Sequence, residues 1–207
     1  MIPEPDDRQY APAIQRNRQP ILDVLRDVLP EEGNILEIAS GTGEHAVFFA
    51  QCLTPRCWIP SDVNPQSLHS IEAWRRQSGV TNLYSPLNID VTEPVWATEK
   101  LGIKISALVN INMIHIAPWE ACLGLFKGAA RLLPMGGIIY LYGPYKQAGK
   151  PTAPSNLAFD QYLREQNPQW GVRNLEDVIS VAQKEGFGLI KTLSMPANNL
   201  SVVFQLN

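Results

Sequence analysis

The sequence predicts a doubly wound α/β domain built on a mostly parallel seven-stranded sheet with an antiparallel C-terminal strand. Three observations predict it. Short apolar runs alternate with stretches of helical period along the chain. A Gly-x-Gly turn joins the first such run to the first following helix. The chain closes on two β-rich runs linked by Pro196-Ala197-Asn198-Asn199, a hairpin signal. At 207 residues and 45% hydrophobic composition, one domain spanning 1–207 has enough apolar side chain for a single sizeable core.

Each element has its own justification. Residues 1–19 read as an irregular N-terminal cap segment, although AIQRNRQ is able to begin a helix. Ile21, Leu22, Leu25, Val28 and Leu29 repeat on one helical face, with Pro20 suited to the first turn and Pro30 and Gly33 ending it. NILEIAS is the first strand and EHAVFFAQCL the helix behind its glycine turn. CWIPSDV is the second strand, followed by a helix opened by Asn64-Pro65 and closed by Gly79. NLYSPLNIDV and ISALVNINMIHI are strands three and four, separated by a short helix near Val95–Leu101. The nearly unbroken apolar character of strand four suits a parallel strand covered on both faces. Trp119, Leu123, Phe126, Ala130 and Leu133 form the next helical stripe, stopped by Pro134-Met135-Gly136-Gly137. IIYLYGPY is strand five. Residues 146–173 break the rhythm with one helix from Ser155, and read as an insertion serving as a lid or substrate wall. A helix with an Asn174/Asp177 capping pair follows, then GLIKTLSM and NLSVVFQLN.

Composition excludes several functions. Seventeen basic residues against twenty acidic ones leave a net charge of −3, and no basic cluster exceeds Arg75-Arg76, so nucleic acid is not expected as a partner. Three cysteines without CxxC spacing read as reduced thiols, and three histidines without ligand spacing give no metal site. The polar, proline-broken start is not that of a signal peptide, and no apolar run approaches ~18 residues. A cytoplasmic protein acting on a small molecule, away from membranes, is the expectation.

The first loop carries the chemistry. Gly41, Gly43 and Ala46 match G-x-G-x-x-G/A between a strand and a helix, where glycines let backbone N–H groups approach a ligand. Asp62 follows Gly43 by 19 residues at the end of strand two, placed to accept from ribose hydroxyls. That much serves NAD and S-adenosylmethionine equally. Glu37, inside the first strand, suits a ligand with an ammonium and a sulfonium and would repel a pyrophosphate; the alternative is that it bonds the loop's own N–H groups. Asp90 ends the third strand, facing an adenine amino group or serving as a helix cap. The closing hairpin also departs from a dinucleotide-binding domain.

Leu36-Glu37-Ile38-Ala39-Ser40-Gly41-Thr42-Gly43 resembles motif I of class I S-adenosylmethionine-dependent methyltransferases, with Ala39 where the first glycine usually stands. Ser61-Asp62-Val63 resembles motif II, and Leu132-Leu133-Pro134-Met135-Gly136-Gly137 the turn before strand five; together the likeness spans about residues 20–207. The strings Arg16–Leu22, Tyr142–Tyr145 and Thr152–Asn156 resemble an uncharacterised methyltransferase-like subfamily with a domain of unknown function. The resemblance implies a Rossmann-like methyltransferase fold and S-adenosylmethionine as cofactor. It implies Glu37, Ala39, Ser40, Gly41, Thr42 and Gly43 around the methionine moiety, and Asp62 and Val63 at the ribose and one adenine face. Asp90 and Val91 would stand at the adenine rim, with Asn110, Asn112 and Met113 below the sulfonium.

His115, after strand four, is the candidate general base; a structural, hydrogen-bonded histidine is the alternative. Tyr10, Tyr142, Tyr145 and Trp170 are candidates for an aromatic wall at the substrate, and Arg16 and Arg173 for binding an acidic one. Two other classes stay open: a NAD-dependent oxidoreductase, although Tyr-x-x-x-Lys is absent, and a non-catalytic adenosyl-ligand scaffold.

Overall fold

The structure, a computed structural model, describes residues 6–207, so residues 1–5 of the expected cap segment lie outside it. The strands are β1 (Asn34–Ile38), β2 (Cys57–Asp62), β3 (Leu87–Asn88), β4 (Ala107–Ile111), β5 (Ile138–Lys146), β6 (Arg173–Asn174), β7 (Phe187–Met195) and β8 (Asn199–Leu206). They form one eight-stranded sheet in the order β3-β2-β1-β4-β5-β8-β7, with β6 paired to β5 beside that path. The pairs from β3 through β5 are parallel, and β8 runs antiparallel to both β5 and β7. Chain direction along the sheet order reverses at β1, where β2 leaves to one side and β4 to the other. The crevice beyond the carboxyl ends of those strands is where open α/β sheets bind ligands.

Seven helices cover the faces: α1 (Ile14–Val28), α2 (Glu44–Cys52), α3 (Pro65–Ser78), α4 (Ala97–Lys100), α5 (Trp119–Leu132), α6 (Pro154–Gln166) and α7 (Leu175–Lys184). Because strand side chains alternate, the sheet divides the core in two. Ile35, Val109 and Tyr140 pack with Leu25 of α1 and Phe49 of α2. Leu36, Leu108 and Ile139 pack on the other face with Phe126 of α5 and Val178 of α7.

The structure departs from the sequence reading in five places. β3 covers only Leu87–Asn88 of the expected strand NLYSPLNIDV, so Asp90 lies two residues beyond its end. α1 begins at Ile14, so Pro20 sits inside the helix and not in its first turn; burial of Ile14 on the same face as Ile21 favours the longer helix. β4 stops at Ile111, because Asn112 adopts a left-handed φ of 65° and turns Met113–His115 into a 3₁₀ turn. β6 adds an eighth strand, two residues long, that no periodicity could announce. Asn174 and Asp177 bond side chain to side chain at 2.8 Å instead of forming the expected backbone cap.

Candidate active site

The β1–α2 loop is shaped by three left-handed residues: Ala39 at φ 58°, Gly41 at 58° and Gly43 at 92°. The two glycines serve different ends. A Cβ on Gly43 would lie 2.8 Å from the Ile71 Cα, so its absence lets α2 and α3 approach. A Cβ on Gly41 would meet nothing within 4 Å, so that absence keeps space above the loop open. The Gly41 N–H donates to Asp62 Oδ2 at 2.9 Å, and the Asn64 N–H donates to Asp62 Oδ1 at 2.9 Å. Asp62 thereby ties the end of β2 to the loop and keeps one further acceptor site on each oxygen.

Beside this clasp lies an apolar cavity of about 360 Å³. Ile38, Ala39, Val63, Val91, Met113 and Ala121 are among its walls, and Asp90 stands at its rim. Asp90 Oδ1 accepts from the Thr92 backbone N–H at 2.9 Å and from its hydroxyl at 2.7 Å. Asp90 therefore closes a turn over Thr92 at the cavity rim and caps no helix, since the N-cap of α4 is Trp96.

Glu37 stands elsewhere. Strand alternation sends its side chain to the α1/α2 face, away from this cavity. Its Oε2 accepts from the Trp58 indole N–H at 2.9 Å and from the Ser40 hydroxyl at 3.0 Å. Burial raises its pKa to about 7, and the nearby Asp62 charge adds to the rise. The expected bonds to the loop's own N–H groups are replaced by this side-chain network. Asn110 is likewise spent inside the fold: its Nδ2 donates to the Ile38 carbonyl at 2.9 Å, locking β4 to the end of β1.

A second cavity, also about 360 Å³, opens on the α1/α2 face of the sheet. Asn112 belongs to it, whereas its neighbour Met113 belongs to the apolar cavity, so the turn after β4 is the partition between the two. Arg16 and Asn17 come from α1, Tyr142 and Pro144 from β5, Ser155, Asn156 and Phe159 from α6, and Asn199 from β8. Three sequence strings far apart in the chain, 16–22, 142–145 and 152–156, therefore meet around one space.

The candidate base is displaced from both cavities. His115 is fully buried, its backbone carbonyl accepts from the Gly171 N–H at 2.9 Å, and its Nδ1 accepts weakly from the Arg173 N–H at 3.4 Å. Burial, with the Arg173 charge, lowers its pKa to about 3, far from the neutral range a general base needs. The ring fills the gap over Gly143, whose Cβ would lie 2.5 Å from His115 Nε2. His115 is thus a structural peg for the returning insertion, and the catalytic reading is corrected.

Three aromatic candidates move with it. Tyr145 points to the same face as His115, edge-on at 4.9 Å, because it is three residues from Tyr142 on an alternating strand. Tyr10 packs edge-on against Trp74 of α3 at 5.1 Å with Arg8 over both rings, and is 58% exposed. Neither Tyr10 nor Trp170 is part of either cavity wall. Arg173 donates to the carbonyls of Ile114, Ala117 and Gln169, which occupies it structurally. Asn17, Asn156 and Asn199 were missed as individual residues, although two of them stand inside the strings that mark the subfamily likeness.

A family model described as "Protein of unknown function (DUF938)" matches residues 8–206. The chain belongs to that family. The DUF938 chain is also similar in structure to an S-adenosylmethionine-dependent methyltransferase called SibL, at 16% identity and a TM-score of 0.74, covering 93% of this chain and 55% of the other. An O-methyltransferase family protein from Burkholderia thailandensis aligns at 14% identity and a TM-score of 0.76, covering 93% and 57%. This chain thus spans little more than half the length of those two. A candidate sarcosine dimethylglycine methyltransferase from Galdieria sulphuraria aligns along nearly its whole length, with 97% and 92% covered, 15% identity and a TM-score of 0.71. At these identities the likeness establishes the fold: this DUF938 protein has the class I methyltransferase fold.

Proposed function

We propose that the protein transfers a methyl group from S-adenosylmethionine to a small-molecule acceptor. The observation that carries this reading is the pairing of two cavities across the Asn112–Met113 turn, one apolar, rimmed by Asp90 and walled by Val63 next to the Asp62 clasp, the other lined by amides. The residues fit the cofactor. The open space over Gly41 admits the amino-acid end of the ligand, and Ser40, Thr42 and Gly43 shape that loop. The remaining acceptor sites of Asp62 suit ribose hydroxyls. Val63 and Val91 offer apolar faces to a purine, and Asp90 an acceptor at its amino edge.

Bound there, S-adenosylmethionine supplies a methyl group on a sulfonium. The chain's own contribution is to exclude water, to align the acceptor from the Asn112 side, and to hold the loop rigid through Asp62. Volumes of this order suit small molecules. A reducing, cytoplasmic setting fits the three unpaired cysteines, and no described helix is long and apolar enough to cross a membrane.

The test is thermal unfolding with S-adenosylhomocysteine, S-adenosylmethionine and NADH in turn. A ligand at 100 times its dissociation constant stabilises the fold by ~2.7 kcal/mol. Both adenosyl ligands should raise Tm by several degrees, and Asp62→Ala should abolish the rise. A rise with NADH alone overturns the proposal, as does no rise with either adenosyl ligand.

A further inference from the structure

We infer that the amide-lined cavity takes a small organic acid, bound as its anion. That this acid is the methyl acceptor rests on the methyltransferase reading; the binding chemistry stands on the cavity itself. Among the described residues, Arg16 is the single charged side chain in the wall, and no carboxylate, imidazole or amine accompanies it. Among the described residues it has no ion-pair partner; Arg18, Arg56 and Arg173 also lack one, but Arg18 lies over the Phe48 ring and Arg56 and Arg173 donate to backbone carbonyls. An unneutralised guanidinium beside polar donors is a carboxylate-binding arrangement.

The next residue adds a donor whose orientation is set from outside the cavity. Asn17 Oδ1 lies 2.9 Å from His45 Nε2. Burial holds the His45 pKa down to about 4, so the ring is neutral at pH 7. With the amide oxygen facing it, Nε2 carries the proton and donates. The Asn17 amide oxygen is thereby engaged, and its NH₂ is the donor end, turned to the Tyr142 phenol oxygen and the cavity beside it. The Tyr142 phenol, 3% exposed and flanked by Asn17 and Asn199, stays protonated because burial raises its pKa, so it too has a proton to donate. A guanidinium, an amide NH₂ and a phenol O–H therefore converge on one space, with Phe159, Pro144 and Pro196 offering apolar surface for the rest of the molecule.

Among the described residues, the lack of a proton-accepting carboxylate, imidazole or amine in the wall points the same way. A group that had to lose a proton would find no acceptor among these residues, whereas a carboxylate arrives already ionised at neutral pH.

The test is calorimetric titration of the full chain saturated with S-adenosylhomocysteine. The probes are benzoate, phenylacetate and hexanoate, each against its uncharged primary amide. At least one acid should bind ten-fold or more tightly than its amide, and Arg16→Gln should reduce that preference to less than three-fold. Asn17→Asp, which puts a negative charge beside the same space, should do likewise, while S-adenosylhomocysteine affinity stays within two-fold in both variants. Equal binding of every acid and amide, no binding by any acid, or a preference that survives both substitutions overturns the inference. Failure to bind S-adenosylhomocysteine at the outset sinks the methyltransferase reading instead; repeating the acid titrations on the ligand-free chain then judges the cavity alone.

Discussion

The two cavities share a partition and a size, yet they are built from different parts of the molecule. The apolar one is made at the tips of β1 to β4, closed by Ala117, Pro118 and the first turn of α5, so most of its wall extends directly from the sheet. The amide-lined one is assembled from α1, the end of β5, the insertion helix α6 and the β7–β8 hairpin, elements drawn from nearly the whole chain. A site at strand tips inherits its geometry from backbone pairing. One assembled from distant pieces depends on pegs that hold those pieces in place. His115 and Asp160 are such pegs. Asp160 accepts from Lys146 Nζ at 2.7 Å and from the Val172 N–H at 2.7 Å, fastening α6 to the far end of the insertion.

Removing a peg breaks the comparison most sharply. His115→Ala leaves a cavity over Gly143 and removes the ring acceptor of the Arg173 N–H while keeping the backbone bond from Gly171, and should cost ~3 kcal/mol of stability. Urea unfolding measures it, and hydrogen exchange should quicken first in residues 167–174. Affinity for S-adenosylhomocysteine should change little, because the apolar cavity does not rest on that segment. An unaltered unfolding midpoint would contradict the structural role assigned to His115.

A second effect is electrostatic and belongs to the buried network behind the β1–α2 loop. The folded-state pKa of Glu37, about 7, lies above the ordinary carboxylate value of 4.5. The fold therefore binds this proton more tightly than the unfolded chain does. The stability it contributes is fully present below pH 4.5 and is lost as pH rises through 7. His45 and His115, whose pKa values burial lowers, act oppositely: their neutral state favours the fold, and that advantage is lost as pH falls below about 6.5. Glu37→Gln isolates the carboxylate. Between pH 5 and pH 8 the wild-type chain should lose on the order of 1–3 kcal/mol relative to this variant, read from paired urea titrations. A difference independent of pH would show that Glu37 is ionised throughout.

The smallest effect lies in the loop itself. Ala39 holds a left-handed φ of 58° that costs a residue with a Cβ ~1–2 kcal/mol. Ala39→Gly relieves that strain at some expense in unfolded-chain entropy, so a net gain of ~1 kcal/mol is expected in thermal or urea unfolding. A loss would mean that the Ala39 methyl contributes more to the apolar wall than its backbone costs.

The order of strands and helices was legible because it rests on local pattern. Alternating apolar runs, the Gly41–Gly43 turn and the Asn64-Pro65 helix start all declare themselves within a few residues. The position of the apolar cavity was legible for the same reason, since Val63, Asp90 and Met113 lie one or two residues beyond the ends of β2, β3 and β4. β6 was not, because two residues carry no period. The facing of individual side chains beyond the strands was not either: a base assigned to His115 and a substrate wall assigned to Tyr145 both required knowing which face of β5 each would meet.

By itself, then, the chain's sequence determined the α/β architecture, the loop and the strand-end carboxylates, all set by short-range periodicity and turn chemistry. Only the tertiary structure decided that Arg16, Tyr142, Asn156 and Asn199 share one space, and that Glu37 and His115 turn inward. Those outcomes depend on which distant elements pack together and on the desolvation that packing imposes, and neither is encoded in the spacing of residues along the chain.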